Sequence, residues 1–165
     1  MNDGADPSAS AALPPRILHI EDDPDLAEMY ALGMEMQGFE VVRARDGAAG
    51  VQAASTSGPD LVLIDIDLPL LDGLQVLARL RQDPKTAGLP ALLLTAFNPS
   101  DYRQRAAEFG VEEVLGKSET TPRKLAEVIR RQLGRCDLGV GRWEATAPPW
   151  AEQTTTPAET EHRAR

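Results

Sequence analysis

Leu61-Val62-Leu63-Ile64-Asp65-Ile66-Asp67-Leu68-Pro69 decides the fold. Leu61 to Ile64 form an unbroken apolar run, which reads as a strand buried on both faces, the situation of a parallel sheet covered by helices on two sides. An aspartate directly after such a run needs a partner or a solvent cleft, so Asp65 is a functional candidate on placement alone.

Working outward, similar runs occur at Ile17-Leu18-His19-Ile20, Phe39-Glu40-Val41-Val42, Ala91-Leu92-Leu93-Leu94 and Val114-Leu115, implying five strands in all. Helix signals separate them. Asp23 caps and Pro24 starts the first helix and Gly38 closes it, while Asp46 opens a second that Gly58-Pro59 ends. Asp72 precedes the third, Asn98-Pro99 opens the fourth before Gly110, and Thr121-Pro122 opens the fifth. The fifth carries Leu125, Val128, Ile129 and Leu133 at helical spacing. Alternation of this kind predicts an α/β fold, a doubly wound five-stranded parallel sheet with right-handed crossovers and helices on both faces. Ligands in such sheets bind beyond the C-terminal ends of the strands.

Length and composition agree. The chain has 165 residues, enough for one domain, and 42% of them are hydrophobic. Residues 1–15, mostly Ala, Ser, Pro and Asp, and 135–165, dominated by Thr, Pro, Glu, Ala and Arg, read as a disordered leader and a disordered or partner-docking tail around a folded domain at 16–134. Trp143 and Trp150, beside Pro148-Pro149, read as part of a linker or as a short docking motif. A net charge of −9 argues against direct DNA binding, since neutralising phosphates takes Lys and Arg. The lone Cys136 can form no internal disulfide, no Cys/His cluster has zinc spacing, and neither a secretory signal nor a membrane span is evident, so a cytoplasmic setting is expected.

The residues following the strand runs are Glu21-Asp22-Asp23, Asp65, Thr95 and Lys117. Carboxylates gathered at one edge repel by about 4 kcal/mol per pair at about 4 Å and an effective dielectric of about 20, unless a cation sits among them. Oxygen-only donors suit Mg²⁺, which leaves positions for water and phosphate oxygens. Asp65 is then placed to attack phosphorus while Lys117 and the Thr95 hydroxyl hold the equatorial oxygens, which points to phosphoryl transfer onto aspartate. Taken singly, these residues have plainer readings. Glu21-Asp22-Asp23 can cap a helix, Thr95 can simply end a strand, Lys117 can be a surface lysine, and Asp67 can shape the turn before Pro69. His19 reads as a packed strand residue and His162 as solvated, so neither suggests phosphohistidine chemistry.

Ile17-Leu18-His19-Ile20-Glu21-Asp22-Asp23-Pro24, Leu63-Ile64-Asp65-Ile66-Asp67-Leu68-Pro69, Leu71-Asp72-Gly73-Leu74, Thr95-Ala96 and Lys117 together resemble the receiver domains of two-component response regulators. The resemblance spans roughly residues 16–134 and implies a flavodoxin-like (βα)5 fold with strand order 2-1-3-4-5. It implies Asp65 as phosphoacceptor, Asp22 as a direct Mg²⁺ ligand, Glu21 as a water-mediated one and the Asp67 backbone carbonyl as a further contact. Thr95 and Lys117 would grip the phosphoryl group. It also implies a sensor histidine kinase or histidine phosphotransfer protein as donor, self-phosphorylation and self-dephosphorylation as the only chemistry, and output to a protein target through the fourth helix, fifth strand and fifth helix. Tyr102, Arg103 and Arg105 would lie on that face in a stand-alone regulator.

Two positions depart from the pattern. Ser118 stands where the family has a proline in a cis peptide, so a trans bond is expected here. Val114 stands where an aromatic usually reports phosphorylation, leaving Phe97 or Tyr102 for that part. Two other functions compete: a pseudo-receiver that binds partners without phosphorylation, and a haloacid-dehalogenase-like phosphohydrolase using Asp65-Ile66-Asp67 as a D-x-D motif.

Overall fold

A computed structural model describes residues 13–137. Its elements are β1 (Arg16–Ile20), α1 (Pro24–Met36), β2 (Glu40–Ala44), α2 (Gly47–Thr56), β3 (Leu61–Asp65), α3 (Gly73–Gln82), β4 (Ala91–Thr95), α4 (Arg103–Ala107), β5 (Val114–Gly116) and α5 (Pro122–Asp137). The strands form one sheet in the order β2-β1-β3-β4-β5, every pair parallel. The expected fold class and strand order are therefore present. The leader and the Trp143/Trp150 tail lie outside the described residues, and α5 continues through Asp137. No helix of the described residues is long and apolar enough to cross a membrane.

Alternation along the central strands splits the core in two. Leu18, Ile20, Val62, Ile64 and Leu93 face Leu74, Leu77 and Ala106, whereas Ile17, Leu61, Leu63, Leu92 and Leu94 face Tyr30, Met34, Leu125 and Ile129. Each such side chain contributes roughly 1.5–3 kcal/mol when fully buried, which is why the sheet needs helices on both sides. The helix starts follow the caps read from sequence: Asp23 accepts from the amides of Asp25 and Leu26, Asp46 from Ala49, and Asp72 forms a reciprocal capping box with Gln75. Gly38, at φ +90°, closes α1, with the Phe39 amide donating to the Met34 carbonyl at 3.2 Å.

Three expectations change. The second strand starts at Glu40 rather than Phe39; Phe39 is buried beside α1 and α5, with the Arg130 guanidinium 5.3 Å from its ring centre. Asn98 caps only a 3₁₀ turn at Pro99–Asp101, and α4 begins at Arg103 and lasts five residues. Arg103, Gln104 and Arg105 supply no apolar stripe and Ala106 alone is buried, so packing does not offset the cost of a longer helix. Tyr102 consequently precedes α4 and is half-buried against the core, so it is not an exposed helix-four contact residue.

Leu70 is fully exposed and is the only non-glycine with positive φ (+67°) among the described residues. The Leu71 amide donates to the Pro69 carbonyl at 2.8 Å around it. A left-handed backbone costs an L-residue roughly 1–2 kcal/mol, partly offset in a glycine by the entropy of its unfolded chain. Leu70→Gly should therefore raise stability by roughly 0.5–1 kcal/mol in urea unfolding; a lower midpoint would show that the leucine side chain contributes packing here.

Candidate functional site

Register builds the site. Ile20 pairs with Ile64, Asp65 with Leu94, and Thr95 with Gly116, so Glu21, Asp65, Thr95 and Lys117 leave the sheet at nearly one level. Asp65 closes β3 and Thr95 closes β4, each within its strand rather than just after it.

Glu21, Asp22 and Asp65 place carboxylate oxygens within 4.8 Å of one another. Glu21 and Asp65 are buried and Asp22 is exposed. Lys117 Nζ lies 2.8 Å from Glu21 Oε2 and 2.9 Å from Asp65 Oδ2, with its side chain only 12% exposed. Burial alone would lower the lysine's pKa, but its hydrogen bonds to Glu21 and Asp65 and their charges outweigh that and hold it above the ordinary value. Burial raises the Glu21 pKa to about 7, the Lys117 ammonium opposing and the Asp65 charge adding to the shift. One ammonium among three carboxylates leaves the cluster short of positive charge. Hard oxygen donors at this spacing, short of a cation, fit a divalent ion such as Mg²⁺. Glu21 and Asp22 also line a cavity of about 520 Å³ with Arg43 and Arg45.

The Asp67 amide donates to Asp65 Oδ1 at 3.0 Å. Its side chain turns away from the cluster: Oδ2 accepts from the Thr95 hydroxyl at 3.1 Å and from the Ala96 amide at 2.8 Å. Thr95 is thus held by Asp67 rather than by Asp65. Gly73 lets α3 start against the site, since a Cβ there would lie 2.3 Å from the Asp65 carbonyl oxygen.

The sheet of receiver type, the carboxylate cluster and the bridging lysine are matched by sequence. The response regulator receiver domain family matches residues 17–130. The chain belongs to that family. It is 38% identical over 123 residues to the DNA-binding dual master transcriptional regulator RpaA of Synechocystis, covering 74% of this chain and 51% of that protein. It is 30% identical over 122 residues to the polar-differentiation response regulator DivK of Brucella anthropi, covering 74% of this chain and 98% of DivK. The chain thus spans about half the length of RpaA and nearly all of DivK. Among solved structures, the receiver domain of a signal transduction histidine kinase from Syntrophus aciditrophicus aligns with TM-score 0.65 at 29% identity, covering 79% of this chain and 96% of that one.

As a receiver domain of two-component response regulators, this chain shows how its departures are accommodated. No cis peptide occurs among the described residues, so the Lys117–Ser118 bond is trans, as expected. Lys117–Glu119 form a 3₁₀ turn, and the Tyr30 hydroxyl donates to the Thr120 carbonyl at 3.0 Å with the Lys117 carbonyl 3.4 Å away. Tyr30 therefore ties α1 to the loop that carries the lysine. Sequence reasoning missed it, because an aromatic at helical spacing reads as core and nothing local reveals a carbonyl lying 87 residues away in sequence. Val114 is buried and Phe97 is 64% exposed. His19 is buried edge-on to Tyr30, and its pKa falls to about 3, chiefly through burial, so it stays neutral.

Proposed function

We propose that this receiver domain takes a phosphoryl group onto Asp65 from a sensor histidine kinase or a histidine phosphotransfer protein. The observation that carries this reading is the Lys117 ammonium 2.9 Å from Asp65 Oδ2, beside Glu21 and Asp22. A carboxylate oxygen of Asp65 attacks phosphorus, an O–P bond forms, and the bond from phosphorus to the donor's leaving atom breaks. Lys117 and the Thr95 hydroxyl neutralise the equatorial oxygens. Asp22 would hold Mg²⁺ directly, Glu21 through water, and Asp65 and the Asp67 carbonyl would complete the protein donors. The ion supplies charge neutralisation between carboxylates and phosphoryl oxygens. The chemistry ends with loss of the phosphoryl to water from Asp65 itself. Output passes to a protein target through the surface of α4, β5 and α5, where Arg103 and Arg105 are exposed. The acidic net charge supports protein rather than DNA as the direct partner of this domain.

Incubation with acetyl phosphate and Mg²⁺ should add one base-labile phosphoryl by intact-mass measurement, and chelation of the metal should reduce the increment at least tenfold. A wild-type protein that gains no mass with either a small donor or a phosphorylated kinase would instead be a pseudo-receiver. Steady hydrolysis of phosphate monoesters would support the phosphohydrolase reading, which the turned-away carboxylate of Asp67 disfavours.

A further inference from the structure

We propose that the Asp67 carboxylate is an internal stand-in for the phosphoryl group, holding the Thr95 hydroxyl and the Ala96 amide until phosphorylation displaces it. Asp67 Oδ2 takes both donors, at 3.1 and 2.8 Å. The Phe97 amide donates to the Thr95 oxygen at 3.1 Å, which leaves the hydroxyl proton for Asp67. Among the described residues, the ion pairs join Asp67 to no cation, so these two donors are what meets its charge.

The Thr95 hydroxyl is a donor that a phosphoryl on Asp65 needs, and the Ala96 amide converges on the same acceptor oxygen as that hydroxyl. Lys117 already serves Asp65 Oδ2 and the Asp67 amide serves Oδ1, and Thr95 stands one residue beyond Leu94, the strand partner of Asp65. A new anion carrying three acceptor oxygens beside Asp65 repels the Asp67 carboxylate and competes for its donors. One of the two must leave. When Asp67 leaves, Ala96 and the exposed Phe97 move with their new acceptor, so residue 67 couples the site to the segment after β4. Asp67 is a positioning residue here, acting through Thr95 and Ala96.

This inference rests on Asp65 being the phosphoacceptor, and one titration separates the two. Beryllofluoride with Mg²⁺ is titrated into wild type, Asp67→Asn and Asp67→Ala by calorimetry, with the Ala96 and Phe97 amide resonances followed by NMR. Removing a charged acceptor that must be displaced should tighten binding about tenfold in Asp67→Ala. Asp67→Asn, which keeps a neutral acceptor in place, should fall between Ala and wild type. Simple structural damage would weaken binding in both variants instead. Wild-type binding with unchanged or weaker binding in both variants overturns this inference alone, as does equal tightening, which would reflect charge without displacement. No binding to wild type overturns the phosphoacceptor reading and this one with it.

Discussion

Asp65→Asn should show no phosphoryl increment after incubation with acetyl phosphate and Mg²⁺, under conditions where the wild type gains one. The substitution is close to isosteric, and an asparagine oxygen can still accept from the Asp67 amide as Asp65 Oδ1 does at 3.0 Å. Lys117 keeps Glu21 as its partner at 2.8 Å, so the loop after β5 stays tethered. What disappears is the anionic oxygen that attacks phosphorus, and an amide is too poor a nucleophile to replace it. The expected effect is therefore loss of all uptake at residue 65 with little change in the unfolding midpoint. Glu21 should also become more acidic, because the neighbouring Asp65 charge is one of the influences that raise its pKa. A phosphoryl found elsewhere on the wild-type chain by peptide mapping, or full uptake by Asp65→Asn, would sink the assignment.

Arg81→Met should cost about 2–4 kcal/mol of stability, read from the urea midpoint at unchanged slope. Arg81 is 8% exposed, its Nε donating to the Phe109 carbonyl and an Nη to those of Ala87 and Leu89, each at 2.9 Å. Burial lowers its pKa to about 10, which still leaves it charged at neutral pH. Methionine approximates the aliphatic stem but leaves these half-buried carbonyls without the donor, at about 1 kcal/mol each, toward the low end of the cost of an unmet buried acceptor. Arg81→Lys should recover only part of the loss, since one ammonium cannot reproduce the fork geometry across both loops. A loss below about 1 kcal/mol in Arg81→Met would mean that water replaces the guanidinium at little cost. The residue also matters to the site at a distance. Phe109 belongs to the turn that leads into β5, and β5 delivers Lys117.

Glu21, Asp22, Asp65, Thr95 and Lys117 were legible for one reason. Each follows or ends a short apolar run, and a parallel sheet fed by right-handed crossovers brings all such ends to one edge. The helix caps were legible too, because Asp23, Asp46 and Asp72 act on amides two or three residues ahead. The short α4 was less so. Asn98-Pro99 is a sound start signal, but whether a helix continues depends on the apolar face it can bury.

By itself, the sequence determined the element order, the buried strands and the set of charged residues at their ends, since these depend on periodicity and local capping. Only the tertiary structure decided that Asp67 turns to Thr95 and Ala96, that Tyr30 holds the loop of Lys117, and that Arg81 closes two loops at once. Apart from the Arg81–Leu89 bond, each of those contacts joins a side chain to a group 28 or more residues away along the chain. Its partner is chosen by which donor or acceptor burial leaves unmet, and that is defined only once the sheet and its helices have packed.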